Sequence, residues 1–139
     1  MKTMKIGIVG CGGIANGKHL PAIKRNGNFE AVAFCDLIEE RAVKAKEEYG
    51  TPDARVYTDY QELIKEDLDA VYVLTPNNAH APVTIAALKA GKHVMCEKPM
   101  AKTYAEAKEM VYYISFLTVC QHFILIFYLF SIFILSLIA

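Results

Sequence analysis

Short strand-like runs alternate with longer charged stretches along the first 110 residues, and this alternation constrains the fold most. The runs are KIGIVG (5–10), FEAVAFCD (29–36), RVYTD (55–59), DAVYVLT (69–75) and HVMCE (93–97). The stretches between them, such as IEERAVKAKEEYG (38–50), have helical composition. Continuous apolar strands are typical of a parallel sheet that helices cover on both faces. The sequence therefore predicts an α/β protein with a doubly wound parallel sheet.

Several residues indicate where the predicted helices begin, bend or end. Asp59 is an N-cap candidate, and Glu62, three residues later, would complete a capping box. Thr103 is the N-cap candidate for the helix YAEAKEMV. Pro21 predicts a kink or break in the first helix, over 13–26, because proline has no N–H to donate. These signals support the same alternation of strands and helices.

The first strand runs into a glycine-rich turn, GIVGCGGIA, that fits a dinucleotide-binding fingerprint at Gly10, Gly12 and Ala15. Gly10 would permit the tight turn, Gly12 would let the backbone approach a pyrophosphate, and Ala15 would let the helix pack closely on the strand. The free N–H groups of Gly13 and Ile14 at the helix N-terminus would bind the anion. The alternative is a glycine-rich turn without a ligand. The position between a strand and a helix favours the fingerprint.

Asp36 ends the second strand, about 20 residues after the glycines, where a carboxylate can accept a hydrogen bond from a ribose 2′-hydroxyl. Leu37 follows it, and no arginine comes at once to neutralise a 2′-phosphate, so NAD is favoured over NADP. Arg41, one helical turn further, weakens that preference. The alternative role for Asp36 is that of N-cap for the helix over 38–50.

The segment VYVLTPNNAHAPVTIAALKAGKHVMCEKPMAKT (71–103) carries the most specific pattern. Together with GIVGCGGIA, HLPAI and FCD, it strongly resembles the N-terminal half of the Gfo/Idh/MocA oxidoreductases, over residues 4–110. The most specific motif of this resemblance is the tripeptide EKP at Glu97–Pro99. The resemblance implies a Rossmann domain and an NAD(P)-dependent dehydrogenase that acts on the CH–OH group of a sugar or polyol.

The resemblance also implies site residues in the loops after the fourth and fifth strands. Those expected to line the cofactor groove are Thr75, Pro76, Asn77 and His80. Glu97 and Lys98 are expected near the nicotinamide and the sugar. A capping role for His80 stays open. His19, in the HLP pattern, is equally compatible with packing and with ligand binding.

Lys98 is the predicted catalytic residue. A lysine at the edge of a crevice can donate to a substrate hydroxyl and favour the alkoxide as hydride leaves. Glu97 would hold it in place, and Pro99 would fix the backbone where the chain turns. The alternative for Lys98 is a solvated charge at the end of a strand.

The resemblance covers only part of what the family's reaction requires. A substrate domain with its acid–base residues, and the sixth strand of the dinucleotide fold, have no counterpart in the sequence. We therefore expect residues 1–110 to form an incomplete Rossmann domain, truncated after the fifth strand and its helix. Such a fragment would bind dinucleotide and show negligible turnover. The alternative is a non-catalytic NAD-binding module, tethered to a membrane through its C-terminal tail.

The tail, residues 111–139, contains no Asp, Glu, Lys or Arg. It is long enough for a membrane anchor, and Lys102 and Lys108 before it would fit the positive-inside rule. It is also rich in β-branched and aromatic residues, so that YYISFLTV could add a strand. A third interpretation is a shifted reading frame, because the codons of its residues are mostly rich in thymine. All three interpretations stay open.

Charge and cysteine content argue against nucleic-acid binding and against a metal site. The 15 basic and 15 acidic residues leave no net charge, which argues against a nucleic-acid footprint. The four cysteines lack metal-ligand or redox-motif spacing, so we expect free thiols in the cytoplasm and no metal site. The resemblance implies a homo-oligomer, but the sheet through which the family assembles has no counterpart here.

Overall fold

The computed structural model describes residues 3–114, which form one parallel sheet with helices around it. The strands are β1 (Met4–Val9), β2 (Phe29–Cys35), β3 (Arg55–Tyr57), β4 (Ala70–Val73) and β5 (His93–Cys96). The helices are α1 (Leu20–Asn26), α2 (Glu39–Tyr49), α3 (Tyr60–Ile64), α4 (Asn77–Lys89) and α5 (104–114). Every predicted strand and helix is present within one to three residues of its predicted bounds.

The strand order is β3-β2-β1-β4-β5, and all neighbouring pairs are parallel. The chain builds outward from β1 through β2 to β3, and then returns to place β4 on the other side of β1. A crevice opens at such a reversal, because the two connections leave the carboxyl ends of β1 and β4 in opposite directions. The predicted doubly wound α/β fold is confirmed.

Side chains from the two faces of the sheet form separate hydrophobic cores. On one face, Ile6 and Ile8 of β1 pack with Phe34, and Ala42 and Ala45 of α2 cover them. The opposite core joins Val9, Val71 and Val73 to residues of α3 and α4. Because successive strand residues point to opposite faces, a strand buried on both sides must be apolar throughout. This explains why β1 from Ile6 onward and all of β4 are continuous apolar runs.

The first helix changes its winding before α1. Residues Ala15–His19 form a π-helical turn, and the N–H of Leu20 donates to the carbonyl of Ala15, five residues back. Pro21 occupies the first turn of α1, where the missing N–H is tolerated. The predicted break at Pro21 is therefore a change from π to α winding, and it places His19 at the end of the wider turn.

Two predicted caps behave differently. Asp59 is the N-cap of α3 and accepts from the N–H of Gln61, as expected. The carboxylate of Glu62, however, accepts from Lys65 at 2.5 Å, so the second half of that capping box is wrong. At α5 both halves form: Thr103 Oγ1 accepts from the N–H of Glu106 at 3.2 Å, and Glu106 accepts from the N–H of Thr103 at 3.0 Å.

The compositional boundary at residue 111 falls inside α5. Met110 is buried with Ala81 and Ile85 of α4, and Tyr113 packs against the same cluster. The three interpretations of the tail concern mainly residues 115–139, which lie outside the described residues. Within 3–114, no helix has the length and apolar character needed to cross a membrane.

Candidate cofactor site

A crevice of about 700 Å³ lies at the carboxyl ends of β1, β2 and β4, where the strand order reverses. Seven of the predicted cofactor residues line it: Gly10, Gly12, Gly13, Ile14, Asp36, Thr75 and Pro76. Further lining residues that the sequence analysis did not name are Ile38, Thr58, Tyr60, Asn78 and Ala79. Thr58 and Tyr60 follow β3. Their position after the carboxyl end of a strand is the feature of the sequence from which they could have been predicted.

Gly10 makes the turn out of β1 possible. Its φ is +95°, a conformation that side chains with a Cβ rarely adopt. A Cβ at this position would lie 2.6 Å from the carbonyl carbon of Leu74. Glycine is therefore required both for the turn and for the close approach of β1 to the chain leaving β4.

The next glycines leave room instead. A Cβ built on Gly12 or Gly13 would meet no protein atom within 4 Å, so the space beside the loop is open for a ligand. Asn16 fixes the loop from the first turn of the helix, because its Nδ2 donates to the carbonyls of Cys11 (2.7 Å) and Gly12 (2.9 Å). Ala15 is fully buried in the core, as its predicted packing role requires.

Asp36 joins the glycine-rich loop to the chain after β2. Its Oδ2 accepts from the N–H of Cys11 at 2.8 Å, and its Oδ1 accepts from the N–H of Ile38 at 2.9 Å. The N-cap position of α2 is Ile38, so the alternative role of Asp36 as N-cap is not what the structure shows. A carboxylate has about four lone-pair directions, which leaves Asp36 capacity for further donors.

Two basic side chains adjoin the crevice. Arg41 lines it, and Arg41 and Lys44 also line a neighbouring concavity of about 310 Å³ together with Gly12 and Gly13. Cationic groups beside open N–H groups at the start of a helix make this side of the loop favourable for an anion.

The chain after β4 contributes an unsatisfied hydroxyl. Thr75 lines the crevice, and its buried Oγ1 has no hydrogen-bond partner in the described part of the chain. Pro76 follows it, and Asn78 lines the crevice one residue after the predicted Asn77, which is exposed outside the lining. An unpaired buried hydroxyl is costly, and a ligand donor or acceptor would remove that cost.

His80 is 1% exposed and lies behind the crevice rather than on its surface. Its Nδ1 lies 2.7 Å from the carbonyl oxygen of Pro99, and its Nε2 lies 2.8 Å from that of Thr75. With both ring nitrogens engaged inside the protein, His80 presents no free group to a ligand. The expectation that it lines the groove is therefore corrected, and so is the simple capping alternative.

Glu97 and Lys98 follow β5 at the same edge of the sheet, outside the residues that line the crevice. Glu97 Oε1 lies 2.7 Å from Nε2 of His19, and Oε2 accepts from the N–H of Lys98 at 3.0 Å. The hydrogen bond from His19, and then that from the Lys98 amide, lower the pKa of the Glu97 carboxyl below its usual value. The Lys98 side chain is exposed, and the Lys98–Pro99 bond is cis.

Two thiols lie beneath the glycine-rich loop. Cys11 and Cys35 are free and buried, and burial raises the pKa of each to about 12. The partly buried Cys96 is also free, and burial raises its pKa as well. Neutral thiols of this kind act as small apolar side chains in the core.

These features fit a dinucleotide. The glycine-rich loop offers open N–H groups for a pyrophosphate, Asp36 offers acceptors for ribose hydroxyls, and Thr75 offers an unpaired hydroxyl on the opposite wall. The lining between them is mostly apolar, with Ile14, Ile38 and Val83, as suits the flat faces of an aromatic base.

Comparison with known proteins shows the family to which this fold belongs. The family described as "Oxidoreductase family, NAD-binding Rossmann fold" matches residues 4–117. Inositol 2-dehydrogenase of Salmonella typhimurium is 40% identical over 111 residues, which are 78% of this chain and 32% of that protein. The chain thus spans about a third of the length of the curated relatives it matches.

Solved structures share the fold. The WlbA dehydrogenase of Bordetella pertussis, in complex with NADH and UDP-GlcNAcA, superposes with a TM-score of 0.77 at 30% identity, over 85% of this chain and 35% of that one. The 3-ketoreductase KijD10 of Actinomadura kijaniata, in complex with NADP and TDP-benzene, gives 0.74 at 31% identity, over 81% and 34%. With the sequence match to the family and the crevice at its switch point, this chain belongs to the Gfo/Idh/MocA oxidoreductases, and its described residues form their NAD-binding Rossmann fold.

Proposed function

We propose that this chain is the dinucleotide-binding part of an NAD-dependent dehydrogenase that acts on the CH–OH group of a sugar or polyol. One observation carries the proposal: the glycine-rich loop, Asp36 and Thr75 meet around one crevice at the strand-order reversal. One relative named above is an inositol 2-dehydrogenase, and the WlbA dehydrogenase was solved with UDP-GlcNAcA, which supports the substrate class.

The preference for NAD rests on the charge at the end of β2. Asp36 lines the crevice as a carboxylate, and Leu37 beside it is exposed and uncharged. A 2′-phosphate close to Asp36 would meet a like charge, whereas a 2′-hydroxyl can donate to it. Arg41 lies on the same wall and reduces this discrimination. We therefore propose a preference for NAD that is moderate in size.

Lys98 is the proposed catalytic residue. The bound nicotinamide would accept or supply the hydride. The ammonium group of Lys98 would donate a hydrogen bond to the substrate hydroxyl and stabilise the alkoxide character that develops on its oxygen. Glu97 takes no proton in this scheme, since its carboxylate already accepts from His19 and from the Lys98 amide.

The 139 residues by themselves are proposed to bind the cofactor without appreciable turnover. The contacts proposed for the dinucleotide lie within residues 10–78, all of which the structure describes. A sugar pocket and a general base beside Lys98 are not formed by the described residues. General acid–base groups contribute about 10²–10⁴-fold to the rate of such reactions, so we expect very slow turnover without them.

Calorimetric titration of the chain with NADH and NADPH, alongside turnover assays with a panel of polyols and NAD, tests the proposal. We expect saturable NADH binding that is tighter than NADPH binding, with turnover at background level. Glu47→Gln, an exposed change on α2 outside the crevice, is the control that keeps binding intact. Failure to bind either dinucleotide would overturn the proposed function, and rapid turnover would overturn the claim that the chain alone is inactive.

A further inference from the structure

We infer that His19 and His80 are positioning residues for Lys98, the first acting through Glu97 and the second through Pro99. The inference rests on the proposed function only for the catalytic role of Lys98. The contacts that carry it are all within the described residues. They come from two different helical segments and hold the chain on either side of Lys98.

The first contact joins the π-helical turn to the end of β5. A carboxylate oxygen only accepts, so the 2.7 Å contact between Glu97 Oε1 and His19 requires the proton on Nε2 of the imidazole. The other oxygen of Glu97 accepts from the backbone N–H of Lys98 at 3.0 Å. His19 thus orients the carboxylate that fixes the Lys98 amide. The lowered pKa of Glu97 agrees with a carboxylate that is held by both donors.

The placement of His19 depends on the local winding of the helix. The π-helical turn Ala15–His19 has one residue more per hydrogen bond than an α-helical turn, which rotates the residues that follow it. His19 is the last residue of this turn, and its side chain is 22% exposed. Such single π turns occur often at functional sites, and here the turn faces the EKP segment.

The second contact joins the loops after β4 and β5. His80 lies between the carbonyl oxygens of Thr75 and Pro99, at 2.8 Å and 2.7 Å. Both partners are backbone carbonyls, and either ring nitrogen of His80 can donate to the carbonyl that it faces. The side chain is buried, where an unmade hydrogen bond is costly. The geometry therefore assigns His80 as a bridge between the crevice wall and the residue after Lys98.

Together these contacts fix the backbone around Lys98 and leave its side chain available. The N–H of Glu97 donates to Val73 at 3.0 Å, the N–H of Lys98 donates to Glu97, and the carbonyl of Pro99 faces His80. The Lys98 ammonium makes no hydrogen bond within residues 3–114. A rigid backbone with a free ammonium group is the arrangement that a hydrogen-bond donor to substrate needs.

Amide hydrogen exchange of Lys98, measured by NMR on the full chain without ligand, tests the His19 contact. In His19→Phe, which removes the donor, and in Glu97→Gln, which removes the charge, we expect this amide to exchange about tenfold faster, the size of one lost hydrogen bond. His19→Gln, whose amide can donate from a similar place, should restore most of the protection. His93→Gln, a change at an exposed histidine of β5, is the matched control.

The His80 contact is tested on the unmutated chain, because a variant of this buried residue could fail to fold. The NMR spectrum should show a slowly exchanging ring N–H on the buried His80, and the ring ¹⁵N spectrum should show the proton of the His19–Glu97 contact on Nε2 of His19. The inference would be overturned by a His80 ring N–H that exchanges as fast as that of the exposed His93. It would also be overturned if exchange of the Lys98 amide were unchanged in His19→Phe while the other β5 amides stay protected.

Titration with NADH separates the two proposals. If hydrogen exchange of the Lys98 amide becomes faster in His19→Phe but the chain does not bind NADH, the proposed function is refuted and the positioning role is supported. If the chain binds NADH but exchange of the Lys98 amide is unchanged in His19→Phe, the positioning role is refuted and the proposed function is supported.

Discussion

Asp36 and Cys11 are joined by a 2.8 Å hydrogen bond from the backbone N–H of Cys11 to Oδ2 of Asp36. The bond connects the carboxyl end of β2 to the glycine-rich loop after β1, two segments that are 25 residues apart in sequence. The carboxylate proposed to bind the ribose therefore also holds the loop proposed to bind the pyrophosphate. A single side chain couples the two halves of the crevice.

Asp36→Asn should weaken NADH binding and reduce the preference for NADH over NADPH. The amide retains one accepting oxygen but loses the charge, so we expect roughly a tenfold loss of NADH affinity, about 1.4 kcal/mol. NADPH affinity should change less, because repulsion of the 2′-phosphate is removed at the same time. Fluorescence titration of both cofactors measures this. A variant that loses affinity for both by the same factor would contradict the role of Asp36 in discrimination.

Gly10→Ala and Gly13→Ala should separate stability from binding. At Gly10, a positive φ and a 2.6 Å contact with the Leu74 backbone oppose any Cβ. We expect a loss of stability of about 1–3 kcal/mol from the backbone conformation alone. At Gly13, a Cβ meets no protein atom, so stability should be unchanged while NADH affinity falls. Urea unfolding and NADH titration check the pair. Unchanged NADH affinity in Gly13→Ala would place the cofactor elsewhere.

Glu97 should make stability depend on pH in the acid range. Its pKa is lowered in the folded chain, first by the hydrogen bond from His19, so the folded state favours the ionised form. The stabilisation is fully present above the ordinary value of 4.5 and is lost as the pH falls through the lowered pKa. Urea midpoints measured from pH 7 to pH 3 should converge for the unmutated chain and Glu97→Gln at the acid end. Parallel curves would contradict this assignment, and Glu47→Gln serves as the control.

The thiols should differ in reactivity. With a pKa of about 12, Cys11 and Cys35 are thiolates in roughly one molecule in ten thousand at pH 8, and both are buried. Cys96 is less buried, so it should react faster with iodoacetamide in the folded chain. Peptide mass spectrometry after timed labelling measures the order, and urea should remove the difference. Cys11 reacting as fast as Cys96 would show that the loop opens readily.

Local patterns were sufficient to predict several of the residues that line the crevice. Gly10, Gly12, Gly13, Ile14 and Asp36 line the crevice as their spacing predicted, because a strand, a glycine turn and a helix place these residues by local geometry. The prediction at Asn77 missed by one residue, since Asn78 faces the crevice. Which residue in a first helical turn faces a cleft depends on how the helix packs, and spacing alone does not supply that.

The sequence by itself determined the α/β class, the parallel sheet and the position of the crevice proposed for the nucleotide, because buried strands and glycine turns are encoded in short stretches of chain. The tertiary structure alone decided which groups the histidines contact. His19 meets Glu97 across 78 residues, and His80 meets Pro99 behind the crevice. A side chain's hydrogen-bond partners depend on which segments the fold brings together, and the capping and groove-lining roles considered for His80 assumed neighbours that the folded chain does not provide.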